Sequence, residues 1–129
     1  MSELSTILYV EDDPDIQAVA QMALELIGGF AVTVCSSGEQ ALLAAAASAP
    51  DLILLDVMMP TMDGPTTLAE LRATPGLAGI PVIFVTAKVQ TTEVEHYKSL
   101  GAVDVIAKPF DPMTLADTVR EIWARAPRA

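Results

Sequence analysis

Five polar side chains stand directly behind apolar runs in this sequence. Glu11 and Asp12 follow Ile7-Leu8-Tyr9-Val10, Asp56 follows Leu52-Ile53-Leu54-Leu55, Thr86 follows Val82-Ile83-Phe84-Val85, and Lys108 follows the run from Val103 to Ala107. As a chemical set they are narrow. Three carboxylates brought together attract a hard, oxygen-preferring cation, for which Mg2+ is the natural choice. Without a cation, each pair of ionised carboxylates about 5 Å apart repels by roughly 3 kcal/mol at an effective dielectric of roughly 20. Thr86 and Lys108 add a hydroxyl and an ammonium group, donors suited to phosphate oxygens. A carboxylate beside such a cation can act as a nucleophile and take a phosphoryl group as an acyl phosphate. Asp56 is therefore the candidate reacting group. Taken alone, Asp56 could equally cap the following turn, and the acids could form no more than a solvated surface.

For these side chains to meet, the runs before them must be neighbours in one sheet. The segments between the runs have helical spacing. Asp13-Pro14 starts a first helix, with Asp as cap and Pro in the first turn. Ile16, Val19, Ala20, Ala23, Leu26 and Ile27 then recur at helical intervals until Gly28-Gly29. Phe30 to Cys35 reads as a second strand. Ser36 with Glu39 and Ser37 with Gln40 are overlapping capping boxes for an Ala-rich helix that Pro50 ends. Asp63-Gly64-Pro65 turns into a third helix. Thr92 with Glu95 caps a fourth, ended by Gly101, and Asp111-Pro112 opens a fifth carrying Leu115, Val119, Ile122 and Trp123. Short, wholly apolar strands alternating with amphipathic helices predict an α/β fold with a doubly wound parallel sheet covered on both faces. In such a sheet the strand ends share one edge, where ligands bind, so the five polar side chains converge there.

Composition bounds the alternatives. The 129 residues suit one domain over 1–129, with no output domain expected in this chain. Net charge is −10, unevenly placed: eleven acids and no Lys or Arg precede Arg72, and seven basic with six acidic residues follow from there. That balance argues against direct binding to nucleic acid or to an anionic membrane. No apolar run approaches the ~20 residues of a membrane span, and Met1-Ser2-Glu3 lacks the basic start of a signal peptide. The single Cys35, inside an apolar strand, reads as a buried thiol in a reducing, cytoplasmic setting. There is no phosphate-binding Gly loop of the nucleotide-binding types and no Gly-x-Ser-x-Gly elbow. His96 lies mid-helix and reads as a surface residue.

Four motifs in order, Ile-Leu-Tyr-Val-Glu-Asp-Asp (7–13), Leu-Leu-Asp-Val-Met-Met-Pro-x-Met-Asp-Gly (54–64), Val-Thr-Ala (85–87) and Lys-Pro-Phe (108–110), resemble the receiver domain of two-component response regulators, of the chemotaxis-receiver type. The resemblance covers essentially the whole chain. It implies a flavodoxin-like fold with sheet order 2-1-3-4-5. It implies that Asp56 accepts a phosphoryl group from the phosphohistidine of a histidine kinase or phosphotransfer protein. Asp12 would ligate Mg2+ (or Mn2+ as substitute) directly, Glu11 through water, and the Met58 backbone carbonyl would complete the protein ligands alongside Asp56. Thr86, with Ala87 beside it, would contact the phosphoryl group, Lys108 would pair with it, and the Lys108–Pro109 peptide would be cis. The domain would be a phosphoacceptor, not an enzyme in the ordinary sense, beyond Mg2+-dependent self-phosphorylation and slow loss of phosphate. It would signal an unknown downstream protein through a shift between conformers, with a possible dimer through the face of the fourth helix, fifth strand and fifth helix.

The sequence departs from the family at two positions. Val105 stands three residues before the lysine, where many receivers carry an aromatic switch residue, and Val103 stands where Asp is common. A greasier core edge is the simpler expectation, an apolar partner patch the other; Tyr97 is a candidate substitute switch. Met58, two residues past Asp56, is an apolar side chain placed to slow water attack on an acyl phosphate. The competing functions are an interaction module that keeps the fold without phosphorylation, and a Mg2+-dependent hydrolase of the haloacid-dehalogenase kind. The first would usually have lost an acid, Thr or Lys. The second needs an acid where Met58 stands.

Overall fold

The apolar runs pair as parallel strands β1 (Thr6–Val10), β2 (Ala31–Cys35), β3 (Leu52–Asp56), β4 (Val82–Thr86) and β5 (Asp104–Ala107). In the computed structural model, which describes residues 3–126, they form one sheet in the order β2-β1-β3-β4-β5. Between them run α1 (Pro14–Met22), α2 (Gly38–Ser48), α3 (Gly64–Ala73) and α4 (Thr91–Ser99), and α5 (Leu115–Arg125) follows β5. The alternation of side chains along each strand divides the core in two. Ile7, Tyr9, Leu54 and Val85 face Ala20 of α1 and Val119, Ile122 and Trp123 of α5. Leu8, Val10, Ile53 and Phe84 face Ala41 of α2, Leu68 of α3 and Tyr97 of α4. Each fully buried aliphatic or aromatic side chain contributes about 1.5–3 kcal/mol by leaving water. The central strands, covered on both faces, hold the sheet edge rigid where the polar side chains emerge. No helix of the described residues is long and apolar enough to cross a membrane.

Local sequence explains the element starts. Asp13 caps α1 by accepting from the Asp15 N–H at 2.8 Å, and Asp63 caps α3 by accepting from the Thr66 N–H at 2.9 Å. Ser37 caps α2, accepting from the Gln40 N–H at 3.1 Å, while the Gln40 side chain reaches back to the Ser36 N–H at 2.9 Å. Of the two predicted boxes, only the Ser37–Gln40 pair forms the cap, with Gln40 reaching one residue further back to Ser36; among the described residues Ser36 and Glu39 do not bond to each other. Asp51, at the opposite edge from the polar cluster, accepts from Ser5 and Thr6 N–H groups, each at 3.0 Å, and pins the start of β1 to that of β3.

Three expectations are corrected. The fifth helix begins at Leu115 and not at Asp111-Pro112, which form a turn closed by the Leu115 N–H donating to the Asp111 carbonyl at 3.0 Å. The fourth helix is capped two residues earlier than the Thr92–Glu95 pair: the Gln90 N–H donates to the Glu93 carboxylate at 3.2 Å, so Thr91 is already helical. The first helix does not bury the full stripe read from its periodicity. Ala20, Ala23 and Leu24 face the core, whereas Val19, Leu26 and Ile27 are exposed, Leu26 at 78 %. For Leu26 and Ile27 the cause is a π-helical turn over Ala23–Ile27, which rotates the last turn out of the register of a straight helix; Val19 lies ahead of that turn.

Candidate functional site

The sheet register assembles the site. Val10 pairs with Leu55 across β1 and β3, so the next residues, Glu11 and Asp56, emerge side by side. Asp56 pairs with Val85, and Thr86 pairs with Ala107. The Lys108 N–H then donates to the Thr86 carbonyl at 2.9 Å and delivers the lysine to the same edge. Glu11 is 1 % exposed and Asp56 3 %, while Asp12 is open to solvent. One carboxylate oxygen from each of Glu11, Asp12 and Asp56 lies within 4.8 Å of the others. An all-oxygen set this close, with one member reachable from water, fits a hard divalent cation such as Mg2+.

Lys108 is the internal counter-charge of this cluster. Its Nζ lies 2.7 Å from Glu11 Oε1 and 3.1 Å from Asp56 Oδ1. Glu11 Oε2 accepts from the Asp13 N–H at 3.2 Å. Burial pushes the Glu11 carboxyl above its ordinary range; the Lys108 and Asp13 contacts draw it back without cancelling, and Asp56 pushes it up again. Burial pulls the Lys108 ammonium down, but its bonds to Glu11 and Asp56 outweigh that and raise it. The lysine therefore stays charged. The Lys108–Pro109 peptide is cis.

Thr86 is buried at the end of β4, and its Oγ1 accepts from the Lys88 N–H at 3.1 Å. That contact occupies the oxygen and leaves the hydroxyl proton for an incoming acceptor. With Ala87, Met58, Ile16 and Asp13, these residues line an open cavity of about 300 Å³. An apolar cavity of about 530 Å³ adjoins it, sharing Ile16, Ala87 and Lys108 and continuing over Val19, Pro109 and Phe110. Met58 stands at the mouth, 68 % exposed. The loop that carries it is clamped by Gly64, whose N–H donates to the Val57 carbonyl at 2.9 Å. A Cβ on Gly64 would lie 2.6 Å from the Asp56 carbonyl oxygen and 2.8 Å from Val57 Cα, so only glycine allows this approach. Thr61, in the same loop, holds a left-handed backbone at φ 70°.

All of Glu11, Asp12, Asp56, Met58, Thr86, Ala87 and Lys108 line the one cavity. Val103 and Val105 are half-buried, each packed against one half of the core, which is the greasier-edge arrangement. Tyr97 is buried edge-on to Phe84, ring centroids 5.2 Å apart, one alternation along β4 from Thr86. Two neighbours of the site were not legible beforehand. Gln17 Nε2 donates both to the Glu11 carbonyl and to Ser36 Oγ, at 3.0 Å for the latter, and so ties the loop after β1 to that after β2. Its signal was a lone amide at the helix start. Tyr9, read as one more apolar strand residue, is buried with its hydroxyl near enough to Glu11 for burial and that carboxylate to hold the phenol above its ordinary range.

Residues 7–120 match the family model described as response regulator receiver domain. The transcriptional regulatory protein CseB of Streptomyces avermitilis is 38 % identical over 125 residues, which is 97 % of this chain and 52 % of that protein. The DNA-binding response regulator MtrA of Mycolicibacterium smegmatis is 40 % identical over 114 residues, 88 % of this chain and 48 % of that protein. The chain thus spans about half the length of the curated relatives it matches. Among solved structures, the Vibrio cholerae chemotaxis protein CheY4 superposes with a TM-score of 0.85 at 27 % identity, covering 92 % of this chain and 98 % of that one. The N-terminal domain of a response regulator receiver protein from Methanoculleus marisnigri gives 0.74 at 38 % identity, covering 95 % and 99 %.

Proposed function

Because the chain belongs to the response regulator receiver domain family, we propose that it is a phosphoacceptor whose reacting group is Asp56. A carboxylate oxygen of Asp56 attacks the phosphorus of a phosphohistidine on a partner kinase or phosphotransfer protein. The P–N bond breaks, the imidazole leaves, and an acyl phosphate remains on Asp56. Glu11, Asp12, Asp56 and the Met58 carbonyl are the residues that would hold Mg2+. When bound, that ion neutralises the carboxylates and the phosphoryl oxygens as charge moves between them. Lys108 then exchanges carboxylate oxygens for a phosphoryl oxygen, and the Thr86 hydroxyl donates to another. The relocation of these two side chains carries the signal into the β4–α4 and β5–α5 loops. A protein donor suits the mouth, because the apolar cavity over Ile16, Val19 and Phe110 lies directly beside the acids.

The observation that carries this reading is the placement of Lys108 Nζ between Glu11 and Asp56, with three acidic oxygens within 4.8 Å. A cluster that only shaped the surface would not bury two of its acids against one lysine. The test is the intact mass after incubation with Mg2+ and a small-molecule phosphodonor. Wild type gains one phosphoryl group and Asp56→Asn gains none. No gain in wild type would leave an interaction module that works without phosphorylation.

A further inference from the structure

Gln17 is half-buried in the first turns of α1, and its Nε2 makes two bonds, one to the Glu11 carbonyl and one to Ser36 Oγ at 3.0 Å. Both N–H groups of the amide are thereby used inside the protein. The Glu11 carbonyl belongs to the planar peptide that joins Glu11 to Asp12, so its direction sets where Asp12 and its side chain must go. On the other side of Glu11, the N–H donates to the Cys35 carbonyl at 3.0 Å. Ser36 is held in turn, its N–H donating to Gln40 Oε1 at 2.9 Å. The Glu11 carboxylate has its own partners, Lys108 and the Asp13 N–H. Asp12 has nothing comparable. It is open to solvent, and among the described residues no hydrogen bond or ion pair reaches its carboxylate, yet one of its oxygens lies within 4.8 Å of oxygens of Glu11 and Asp56. Like charge favours swinging it away into water. What aims it is the backbone beneath it.

We infer that Gln17 is a positioning residue of the metal site: its amide, anchored on Ser36, holds the Glu11–Asp12 peptide in the orientation that aims Asp12 at the ion. Gln17 touches neither metal nor phosphoryl group and acts through the backbone between two carboxylates. The amide suits the task because it is uncharged. A lysine or arginine at this place would set a positive charge against the incoming cation, and a glutamate would turn an acceptor towards an acceptor. A ligand already aimed does not have to be ordered when the ion arrives, so the effect falls on metal affinity. This rests on the reading of Glu11 and Asp12 as metal ligands.

The test is calorimetric titration of the full chain with Mg2+ alone, for wild type, Gln17→Met, Asp12→Asn and the double variant. Thermal melts in chelator run alongside, with the rate of phosphoryl uptake, read by mass, at low and at saturating Mg2+. Methionine keeps the length and the helix preference, removes the donors and sits at a half-exposed place, so the fold survives. Mg2+ affinity falls about tenfold in Gln17→Met, the lower end of what is lost with a partner behind a metal ligand. Phosphoryl uptake slows at low Mg2+ and returns to within about a factor of two of wild type at saturation, because Asp56, Thr86 and Lys108 are untouched. In the Asp12→Asn background the same substitution has little further effect, because the carboxylate it aims is gone. Gln17→Met binding Mg2+ like wild type, while Asp12→Asn binds weakly, overturns the inference and spares the metal site. Asp12→Asn binding like wild type overturns both. An equal loss from Gln17→Met in the two backgrounds, or slow uptake that saturating Mg2+ does not restore, shows a merely structural role and also overturns the inference.

Discussion

Lys108 and Glu11 are 2.7 Å apart, nitrogen to oxygen, and the carboxylate is almost wholly out of water. The same ammonium lies 3.1 Å from Asp56, so one cation offsets two neighbouring acids. The site is poised as an exchange: whatever positive charge enters must displace, or be shared with, this lysine.

Lys108→Met should therefore unbalance the metal-free protein. The apolar stem is kept and the charge is lost, leaving two buried carboxylates facing each other. Removal of one partner from a buried pair costs about 3–5 kcal/mol, and the 18 % exposure of the lysine side chain puts the loss at the low end, about 3 kcal/mol. Mg2+ should restore stability to this variant more than it adds to wild type. Denaturation in chelator and in excess Mg2+ measures both; equal metal stabilisation of the two proteins would contradict the exchange.

The pH dependence follows from Glu11. Its carboxyl in the folded protein is raised above the ordinary value of 4.5. Between that value and the raised one, the folded protein binds more protons than the unfolded chain, so stability falls as pH rises through the window. The contribution is fully present below 4.5 and is gone above the folded value. Glu11→Gln, which does not titrate, should lack it. Unfolding free energies in chelator across acid to neutral pH should show wild type losing ground to Glu11→Gln with rising pH; a constant difference would show that Glu11 titrates normally.

Gly64→Ala tests the clamp behind the reacting residue. The added methyl would meet the backbone of Asp56 and Val57 at 2.6 and 2.8 Å, and backbone cannot swing aside as a side chain can. We expect a loss of about 1–3 kcal/mol, the range of overpacking, together with weaker Mg2+ binding, since the Met58 carbonyl is displaced with the loop. Melting temperature and calorimetry read the two effects. Full metal affinity in a destabilised variant would separate the clamp from the site.

What the sequence reveals and what it withholds divide along physical lines. The four-residue aliphatic run before Asp56, short and set between helical patterns, reads as a doubly covered strand, and the strand-end rule then brings Glu11, Asp12, Thr86 and Lys108 to one edge without any contact being known. Direction of side chains is another matter. Lys108 grips Glu11, and nothing in the spacing says which carboxylate a long, flexible lysine selects. Tyr9 belongs by type in an apolar strand, and only the coordinates show where its hydroxyl ends. The exposed Leu26 and Ile27 were hidden by a π turn that a 3.6-residue period does not register. Thr61 at φ 70° contradicts the preference of a β-branched residue and is imposed by the loop around it.

Thr86→Ala should separate chemistry from signal. The hydroxyl accepts from the Lys88 N–H and, among the described residues, bonds to none of Asp56, Glu11 and Lys108, so its removal leaves those three in place. Phosphoryl uptake by mass should stay within about a factor of three of wild type. The conformational shift should lose the roughly 1.5–3 kcal/mol of a hydrogen bond to a charged oxygen, which depopulates the active conformer about tenfold or more. Amide spectra of the phosphorylated variant should remain close to those of the unmodified protein. If Tyr97, packed on Phe84 beside Thr86, relays the movement, its ring signals should shift in phosphorylated wild type and stay still in Thr86→Ala.

Met58→Asn addresses the lifetime of the acyl phosphate. Met58 lines the acidic cavity beside Asp56, largely exposed, and its thioether offers water no strong partner. Asparagine at the same place supplies an acceptor and a donor for a water molecule. Hydrolysis should accelerate. A positioned acid or base contributes about 10²–10⁴-fold, and an exposed amide that merely orients water falls well below that range. The decay of the phosphorylated mass after donor removal gives the rate directly. Identical decay in the two proteins would leave Met58 with no part in setting how long the signal lasts.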